Sequence, residues 1–496
     1  MKIIIIGAGM GGLSAGIYGQ MNGYDTEIYE MHSKAGGQCA SWSRNGYTFD
    51  ACIHHLVGCK DGSRVNQIWK NLGAMPLNLV YTRELVAAAF PGKEMFYDYY
   101  DLDKLRNHML QIAPEDAPEI EKYISGIRSF LNKDVMGRMA AGKKDMLGMM
   151  PLVIKNMKYF KMSLKDYALR FKNPLLRRAI PMLEYSIPEI PTAVHFSKHA
   201  AGTDGDIAWP VGASQTLSEA MEKRYSDLGG KLHFGKKVEK ILTQGNRVVG
   251  IRLADGSDQF SDIVISNADG RKTISGLLGG EYSNSDIDKW MQIDDKPGNW
   301  AAMVYLGVNR NLKDEPSALV LLLEKPVKLT GQEVDSLELQ LYGFDTTMAP
   351  AGKGVIKAEI TGTYSYWNDC TPEEYADKKR EITDQVIDIL ESHYPGIREQ
   401  VEVTDVVTLK TWERFMGGTH GFNNGPNKPF GFKSILSGKK TTLPGLERFY
   451  MAGTWVSGMG AAFINAQTGK TVIQQICKKD KKRFQSEPRL DFQSRE

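Results

Sequence analysis

The first thirty residues place apolar runs and glycines in an order that predicts a strand, a turn, a helix and a second strand. Residues 3–6 are four isoleucines, which is typical of a strand buried on both faces of a parallel sheet. A glycine-rich turn occupies residues 7–12, and residues 13–21 carry apolar side chains at helical spacing. The second strand covers residues 26–30 and ends on an acid. This order predicts a βαβ unit.

Two longer stretches have different patterns. Residues 101–204 indicate helices, whereas residues 275–410 alternate as strands do before a helix near residues 372–394. The predicted strands are 300–308, 318–323, 336–344 and 354–363. A strand at residues 448–452, a glycine-rich turn and a helix over 461–476 form a second strand–turn–helix unit near the other end of the chain.

The composition bears on the fold, on the possible partners and on the cellular compartment. Fifty glycines in 496 residues is about 10%, against a usual ~7%, and indicates many tight turns or close backbone approaches. A net charge of +3 argues against a nucleic-acid-binding protein that relies on overall charge. Five cysteines without CxxC spacing exclude a zinc ribbon, so no metal site is expected, and they favour a reducing compartment. Residues 3–19 are uncharged but broken by glycines, so we expect neither a signal peptide nor a spanning helix there.

The charge is unevenly distributed. Residues 133–178 hold twelve basic and three acidic residues, a net charge of +9, together with seven methionines. Basic residues beside soft apolar ones suit a helix that lies on an anionic membrane. They equally suit the mouth of a lipid site or a solvated basic face over a methionine-rich core. We therefore expect a cytoplasmic protein that is either free in the cytoplasm or held at the inner face of a membrane.

The amino-terminal motif predicts a dinucleotide site. Gly7 permits the tight turn, Gly9 lets the backbone approach a pyrophosphate, and Gly12 lets the helix pack close to the strand. Glu30 stands where a carboxylate would accept hydrogen bonds from ribose hydroxyls, and its charge disfavours a 2′-phosphate and hence NADP. The motif alone leaves NAD and FAD open. The glycine pair at 36–37 and the second unit near residue 453 favour FAD, because a long cofactor would meet both.

Five segments resemble the flavin-dependent amine-oxidase-like superfamily, and within it the phytoene desaturases, carotenoid isomerases and retinol saturases. They are residues 29–37, 45–58, 210–213, 262–268 and 452–460, and the similarity extends from residue 3 to about 475. The chain departs from the pattern at Thr454, where many relatives have an acid, and at Ala213, where many have a second glycine.

The resemblance implies an α/β fold: a Rossmann-like FAD-binding domain of discontinuous segments, an α+β substrate domain with an antiparallel sheet, and a helical insertion able to contact a membrane. The FAD-binding parts would be 1–100, 205–275 and 410–478, with the insertion at 101–204, the substrate domain at 276–409 and a charged tail at 479–496. The implied cofactor contacts, with their neighbours, are Gly7, Ala8, Gly9, Met10, Gly11, Gly12, Glu30, Met31, Gly36, Gly37, Gln38, Val238, Gly453, Thr454, Met459, Gly460 and Ala461.

The implied activity is hydride exchange between a flavin and carbon–carbon bonds of a long apolar polyene or isoprenoid, as desaturation, saturation or cis–trans isomerisation. A polyene cation is delocalised, so no strong base is required, and only His54, His55 and His420 stand out as catalytic candidates. Since a second GxGxxG unit is missing, electrons would pass through a protein partner, a quinone or oxygen. The alternatives are a flavin amine oxidase, or a structural flavoprotein that binds a membrane or partner.

Overall fold

The computed structural model describes residues 1–75, 77–141, 145, 147–184, 187–283, 288, 298–421, 441–458 and 460–487. Its strands, in chain order, are β1 Lys2–Ile6, β2 Asp25–Tyr29, β3 Ser41–Arg44, β4 Tyr47–Asp50, β5 Leu56–Val57, β6 Leu79–Val80, β7 Glu84–Ala89, β8 Phe96–Tyr99, β9 Ile207–Pro210, β10 Lys231–His233, β11 Val238–Gln244, β12 Arg247–Leu253, β13 Asp258–Phe260, β14 Ile263–Ser266, β15 Gly298–Val308, β16 Ala318–Leu329, β17 Gln332–Leu341, β18 Gly354–Gly362, β19 Val401–Thr408 and β20 Phe449–Met451.

The α-helices are α1 Met10–Met21, α2 Arg64–Asn71, α3 Leu102–Ile112, α4 Ala117–Arg128, α5 Val135–Ala141, α6 Met150–Lys155, α7 Met157–Lys161, α8 Leu164–Ala168, α9 Pro174–Ala179, α10 Thr192–Thr203, α11 Ser214–Asp227, α12 Tyr364–Asn368, α13 Pro372–Glu391, α14 Ile397–Gln400, α15 Leu409–Met416, α16 Thr454–Ser457 and α17 Ala462–Lys479. Short 3₁₀ turns cover Pro114–Asp116, Ile180–Met182 and Tyr342–Phe344, and a π-helical turn covers Lys272–Leu277. Within the described part of the chain, no helix has both the length and the apolar character needed to cross a bilayer.

A five-stranded parallel sheet joins distant parts of the chain in the order β10-β2-β1-β14-β20. The isoleucine run of β1 is fully buried at residues 3–5, because β2 and β14 flank it and the sheet is covered on both faces. β20 completes the sheet by pairing Phe449 with Val264 of β14. The predicted Rossmann-like unit is therefore assembled from residues separated by more than four hundred positions.

Helix α1 packs between the sheet and α17. A Cβ added to Gly469 of α17 would lie 2.4 Å from the carbonyl oxygen of Gly11, so a larger residue would push the two helices apart. Oγ of Ser14 also donates a 2.6 Å hydrogen bond to the carbonyl oxygen of Ala466. The amino-terminal glycine turn is thus fixed against the last helix.

The larger sheet has seven strands in the order β19-β15-β18-β17-β16-β7-β8. The sequence predicts an antiparallel sheet within residues 276–409, and the described strand pairs in that range are antiparallel. The structure adds β7 and β8 from outside the range, and β7 runs parallel to β16. All six residues of β7 are buried. Successive side chains of a strand point to opposite faces, and here Ala88 packs with the helical region whereas Ala87 and Ala89 pack towards α13. The sheet therefore separates two hydrophobic cores.

A buried ionic cluster stabilises the helical region. Oε2 of Glu184 accepts a 2.9 Å hydrogen bond from Nζ of Lys198, and Oε1 of Glu184 lies 2.9 Å from Nδ1 of His195. Burial alone would raise the pKa of the Glu184 carboxyl, but Lys198 and His195 lower it to about 2. Nε2 of His199 lies 3.3 Å from the equally buried carboxylate of Asp98.

Candidate cofactor site

A cavity of about 980 Å³ lies at the carboxyl ends of the parallel strands. Residues from the beginning, the middle and the end of the chain line it together. Thirteen of the sequence-predicted cofactor residues are in this lining: Gly7, Gly9, Met10, Gly11, Glu30, Met31, Gly36, Gly37, Gln38, Val238, Gly453, Thr454 and Gly460. The fold thus brings most of the predicted set to one place.

The remaining four predicted residues are placed differently. Ala8 is buried behind the glycine turn, and its N–H donates a hydrogen bond of 2.8 Å to Oε2 of Glu30. A Cβ at Gly12 would lie 2.0 Å from the carbonyl oxygen of Gly7, which is the close packing that the sequence predicts at this position. Ala461 caps the start of α17 next to the cavity-lining Ala462. Met459 lies outside the described residues.

The glycine turn presents backbone donors to the cavity. Gly7 has a φ of +91°, in the left-handed region that favours glycine, and this lets β1 turn directly into α1. Helix α1 begins at Met10 without a side-chain cap, and Met10 and Gly11 line the cavity. An uncapped helix amino terminus has free N–H groups and a positive dipole, which suit a pyrophosphate.

The Glu30 carboxylate retains acceptor capacity. Its Oε2 accepts from Ala8 and its Oε1 accepts a 3.0 Å hydrogen bond from the N–H of His32. A carboxylate offers about four acceptor positions, so two remain for donors in the cavity that Glu30 lines. This arrangement fits the hydroxyl groups of an adenosine ribose.

The glycine pair at 36–37 positions the segment that follows Glu30. The N–H of Gly36 donates a 2.9 Å hydrogen bond to the carbonyl oxygen of Ala8, which ties this segment to the glycine turn. Gly36 and Gly37 have φ values of +116° and +60°. A Cβ at Gly37 would approach Cα of Gly9 to 3.2 Å, so the two glycine motifs pack directly against each other.

Two asparagines in the lining were not predicted. Asn267 follows β14, and Cβ atoms added to Gly9, Gly11 or Gly453 would lie 2.4–2.9 Å from its side-chain amide. Asn465 in the first turn of α17 also lines the cavity, and its Oδ1 accepts a 2.7 Å hydrogen bond from Oγ of Ser457. Asn267 lies within one of the five segments that resemble the family, so the sequence did offer a reason to expect it in the site. The sequence offers no such reason for Asn465, because it lies outside those segments.

Residues of β19 and α15 add apolar side chains to the lining: Val406, Val407, Trp412, Phe415 and Met416. Trp42 of β3 lines the cavity as well, and its Nε1 donates a 2.9 Å hydrogen bond to Oδ2 of Asp405. One cavity therefore combines polar residues that suit a dinucleotide with a group of apolar side chains.

None of the three candidate histidines is among the lining residues. Nε2 of His54 lies 3.0 Å from both carboxylate oxygens of Glu359, and Nζ of Lys357 lies 2.7 Å from the same carboxylate. Burial lowers the pKa of the His54 and His55 imidazoles. His420 stacks on Tyr364 with ring centroids 4.2 Å apart, while its neighbours Gly418 and Gly421 line the cavity.

Ala213 illustrates a departure from the resembling pattern. It has φ +71° and ψ −173°, a conformation that is strained for any residue with a Cβ. The glycine that many relatives carry here would relieve this strain. Gly212 beside it also has a positive φ, of +88°.

Two family models match parts of this chain. A model of an NAD(P)-binding Rossmann-like domain matches residues 5–72, and the model of the flavin containing amine oxidoreductases matches residues 188–468. The chain belongs to the flavin containing amine oxidoreductase family. The predicted family resemblance, fold class and FAD cofactor are confirmed. The protein is therefore an FAD-dependent oxidoreductase.

Similar proteins extend over most of the chain. A prolycopene isomerase of Daucus carota is 21% identical over 91% of this chain and 75% of its own length. A lycopene-forming phytoene desaturase of Pseudescherichia vulneris is 25% identical over 82% of this chain and 85% of its own. An oxidoreductase from Methanosarcina mazei has the same fold, with a TM-score of 0.63, 18% identity and coverage of 96% of this chain and 100% of that one.

The residues fit FAD. Backbone donors of the glycine turn and the acceptors of Glu30 would hold its dinucleotide. Bound FAD supplies a ring system that accepts or returns hydride. The chain would contribute orientation, and the buried Trp412 would help to exclude water.

Proposed function

We propose that this flavoenzyme desaturates, saturates or isomerises carbon–carbon bonds of a long polyene. The apolar side chains of β19 and α15 in the lining support the proposal, since they offer a polyene a surface on which to bury its chain. The names of the carotenoid isomerase and desaturase relatives support it. In a desaturation, a hydride leaves one carbon for the flavin and a proton leaves the adjacent carbon. Saturation is the reverse of this reaction. In isomerisation, the flavin returns the hydride and the proton is restored, so the substrate is neither oxidised nor reduced.

Val407 provides the test, because it is a buried apolar residue of the cavity lining. Holoenzyme is mixed with cis-polyenes and phytoene in vesicles, with a quinone as electron acceptor or dithionite as electron donor, and products are separated by chromatography. We expect Val407→Phe to lose at least tenfold in turnover while keeping the flavin absorbance. The control Val403→Phe lies on the same strand outside the lining and should retain turnover. Hydrogen peroxide release with a panel of amines, and no polyene product, would instead support an amine oxidase.

Such a substrate resides in membranes, and the surface of the helical region suits contact with one. We define the basic apolar surface as Leu147, Met150, Ile154 and Met157, all exposed, together with Lys155, Lys158 and Lys161. No acid occurs in residues 147–165. The two acids just before it, Asp134 and Asp145, are both paired with Arg64. An anionic bilayer complements exposed apolar groups among exposed basic ones.

Vesicle sedimentation tests this contact. The protein should sediment with vesicles that contain phosphatidylglycerol, less with pure phosphatidylcholine, and less at high salt. Leu147→Glu and Ile154→Glu should release it, since each side chain is 65% exposed. Phe260→Glu changes an equally exposed side chain, 66%, on β13 and should have no effect. Equal binding by all three variants would contradict the proposed surface.

A further inference from the structure

Two cysteines face each other beside the cofactor cavity. Strands β3 and β4 form an antiparallel pair in which Ser41 lies opposite Asp50. One position further, the N–H of Ala51 donates a 3.0 Å hydrogen bond to the carbonyl oxygen of Ala40. Cys39 and Cys52 are the next residues beyond this hydrogen bond, just outside the two strands.

This placement is compatible with a disulfide. The Ala40–Ala51 hydrogen bond joins the segments immediately beside both cysteines, and a disulfide spans Cα atoms ~4.4–6.8 Å apart. A hydrogen bond between the two side chains and burial together raise the pKa of the Cys39 thiol. All five cysteines are thiols in the structure.

The backbone around the pair is held in place. The carbonyl oxygen of Cys39 accepts a 2.8 Å hydrogen bond from Oγ of Ser218, and its N–H donates to the carbonyl oxygen of Gly36. The N–H of Cys52 donates a 3.1 Å hydrogen bond to Oδ1 of Asp50. These bonds hold the backbone at both cysteines in place.

Cys39 and Cys52 both line the FAD cavity, and the other three cysteines, Cys59, Cys370 and Cys477, do not. Dithiols and flavins exchange electrons in pairs. We propose that Cys39 and Cys52 are a second redox centre that exchanges two electrons with the bound FAD.

The exchange balances. When the two thiols form the disulfide, they lose two electrons and two protons, and oxidised FAD takes up both electrons and both protons to become FADH2. In the reverse direction, reduced flavin gives up two electrons and the disulfide takes up two protons to restore both thiols. The proposal rests on the FAD cofactor and not on a polyene substrate. It gives the protein an internal store of one electron pair between encounters with its substrate and with an outside oxidant or reductant.

A reductive titration tests the proposal. The holoenzyme is oxidised with ferricyanide, desalted and titrated with dithionite without oxygen while flavin absorbance is followed. We expect four electrons per FAD in the unaltered protein and in Cys59→Ser, which changes a buried cysteine away from the cavity. Cys39→Ser and Cys52→Ser should each take up two. Two electrons per FAD in the unaltered protein would overturn the proposal.

Peptide mapping gives a readout that needs neither turnover nor correct folding of a variant. The oxidised holoenzyme is alkylated, digested and analysed by mass spectrometry without reductant. A linked pair of peptides containing Cys39 and Cys52 is expected, and it should disappear after one equivalent of dithionite beyond that needed by the flavin. Two alkylated thiols in the oxidised protein would overturn the proposal, whatever its activity on polyenes.

Discussion

Oε2 of Glu30 accepts a 2.8 Å hydrogen bond from the N–H of Ala8. This bond joins the end of β2 to the glycine turn that follows β1, so the predicted ribose acid and the predicted pyrophosphate turn hold each other in place. The acid is therefore oriented before any cofactor arrives.

Glu30→Gln should weaken FAD binding. Hydrogen bonds to a charged group contribute about 1.5–3 kcal/mol, so the loss of charge should raise the Kd for FAD roughly ten- to a hundredfold. Flavin fluorescence on dilution measures the change. Glu219→Gln, at an exposed position of α11, serves as the control. Equal affinities of the two variants would show that Glu30 has no part in cofactor binding.

Ala213→Gly should stabilise the protein. A residue with a Cβ in this conformation costs of order 1–3 kcal/mol, and glycine removes the strain at the price of a more flexible unfolded chain. We expect a net gain of about 1 kcal/mol in the free energy of unfolding, measured by urea denaturation. Ala220→Gly inside α11 should change it by about 1 kcal/mol in the opposite direction. A destabilised Ala213→Gly variant would contradict this reading of the turn.

Lys198→Met should destabilise the helical region and alter its response to acid. Removing one partner of a buried ion pair costs about 3–5 kcal/mol, whereas exposed Lys223→Met should cost under about 1 kcal/mol. The Glu184 pKa is lowered to about 2, so its contribution is present above the ordinary value of 4.5 and is lost as pH falls towards 2. Unfolding free energies at several pH values should show a smaller loss over this range in Lys198→Met.

His54→Asn should affect stability more than turnover, because His54 bonds Glu359 and is not among the cavity-lining residues. We expect a loss of about 1–3 kcal/mol, with the flavin spectrum retained and turnover reduced less than tenfold. Thermal unfolding and steady-state kinetics measure the two effects. A hundredfold fall in turnover in a stable, flavin-loaded variant would instead identify a catalytic histidine.

Local patterns predicted the parts of the site that depend on local chain geometry. The glycine turn and Glu30 were found because strand, turn, helix and acid follow one another within thirty residues. Asn465 and Val407 reach the same cavity only through long-range packing of α17 and β19, which leaves no spacing to read. The sequence did not predict that β7 belongs to the larger sheet either. The burial of β7 on both faces depends on elements far away in sequence.

The pairing of β20 with β14 and the packing of α17 against α1 have a consequence for biosynthesis. A nascent chain that has emerged only as far as residue 440 carries the glycine turn and Glu30 but lacks the final strand and the helix that packs against the turn. It also lacks the cavity residues Gly453, Thr454, Gly460 and Asn465. Stable cofactor binding should therefore follow the emergence of β20 and α17, and a chain truncated before Phe449 should leave the ribosome as an apoprotein.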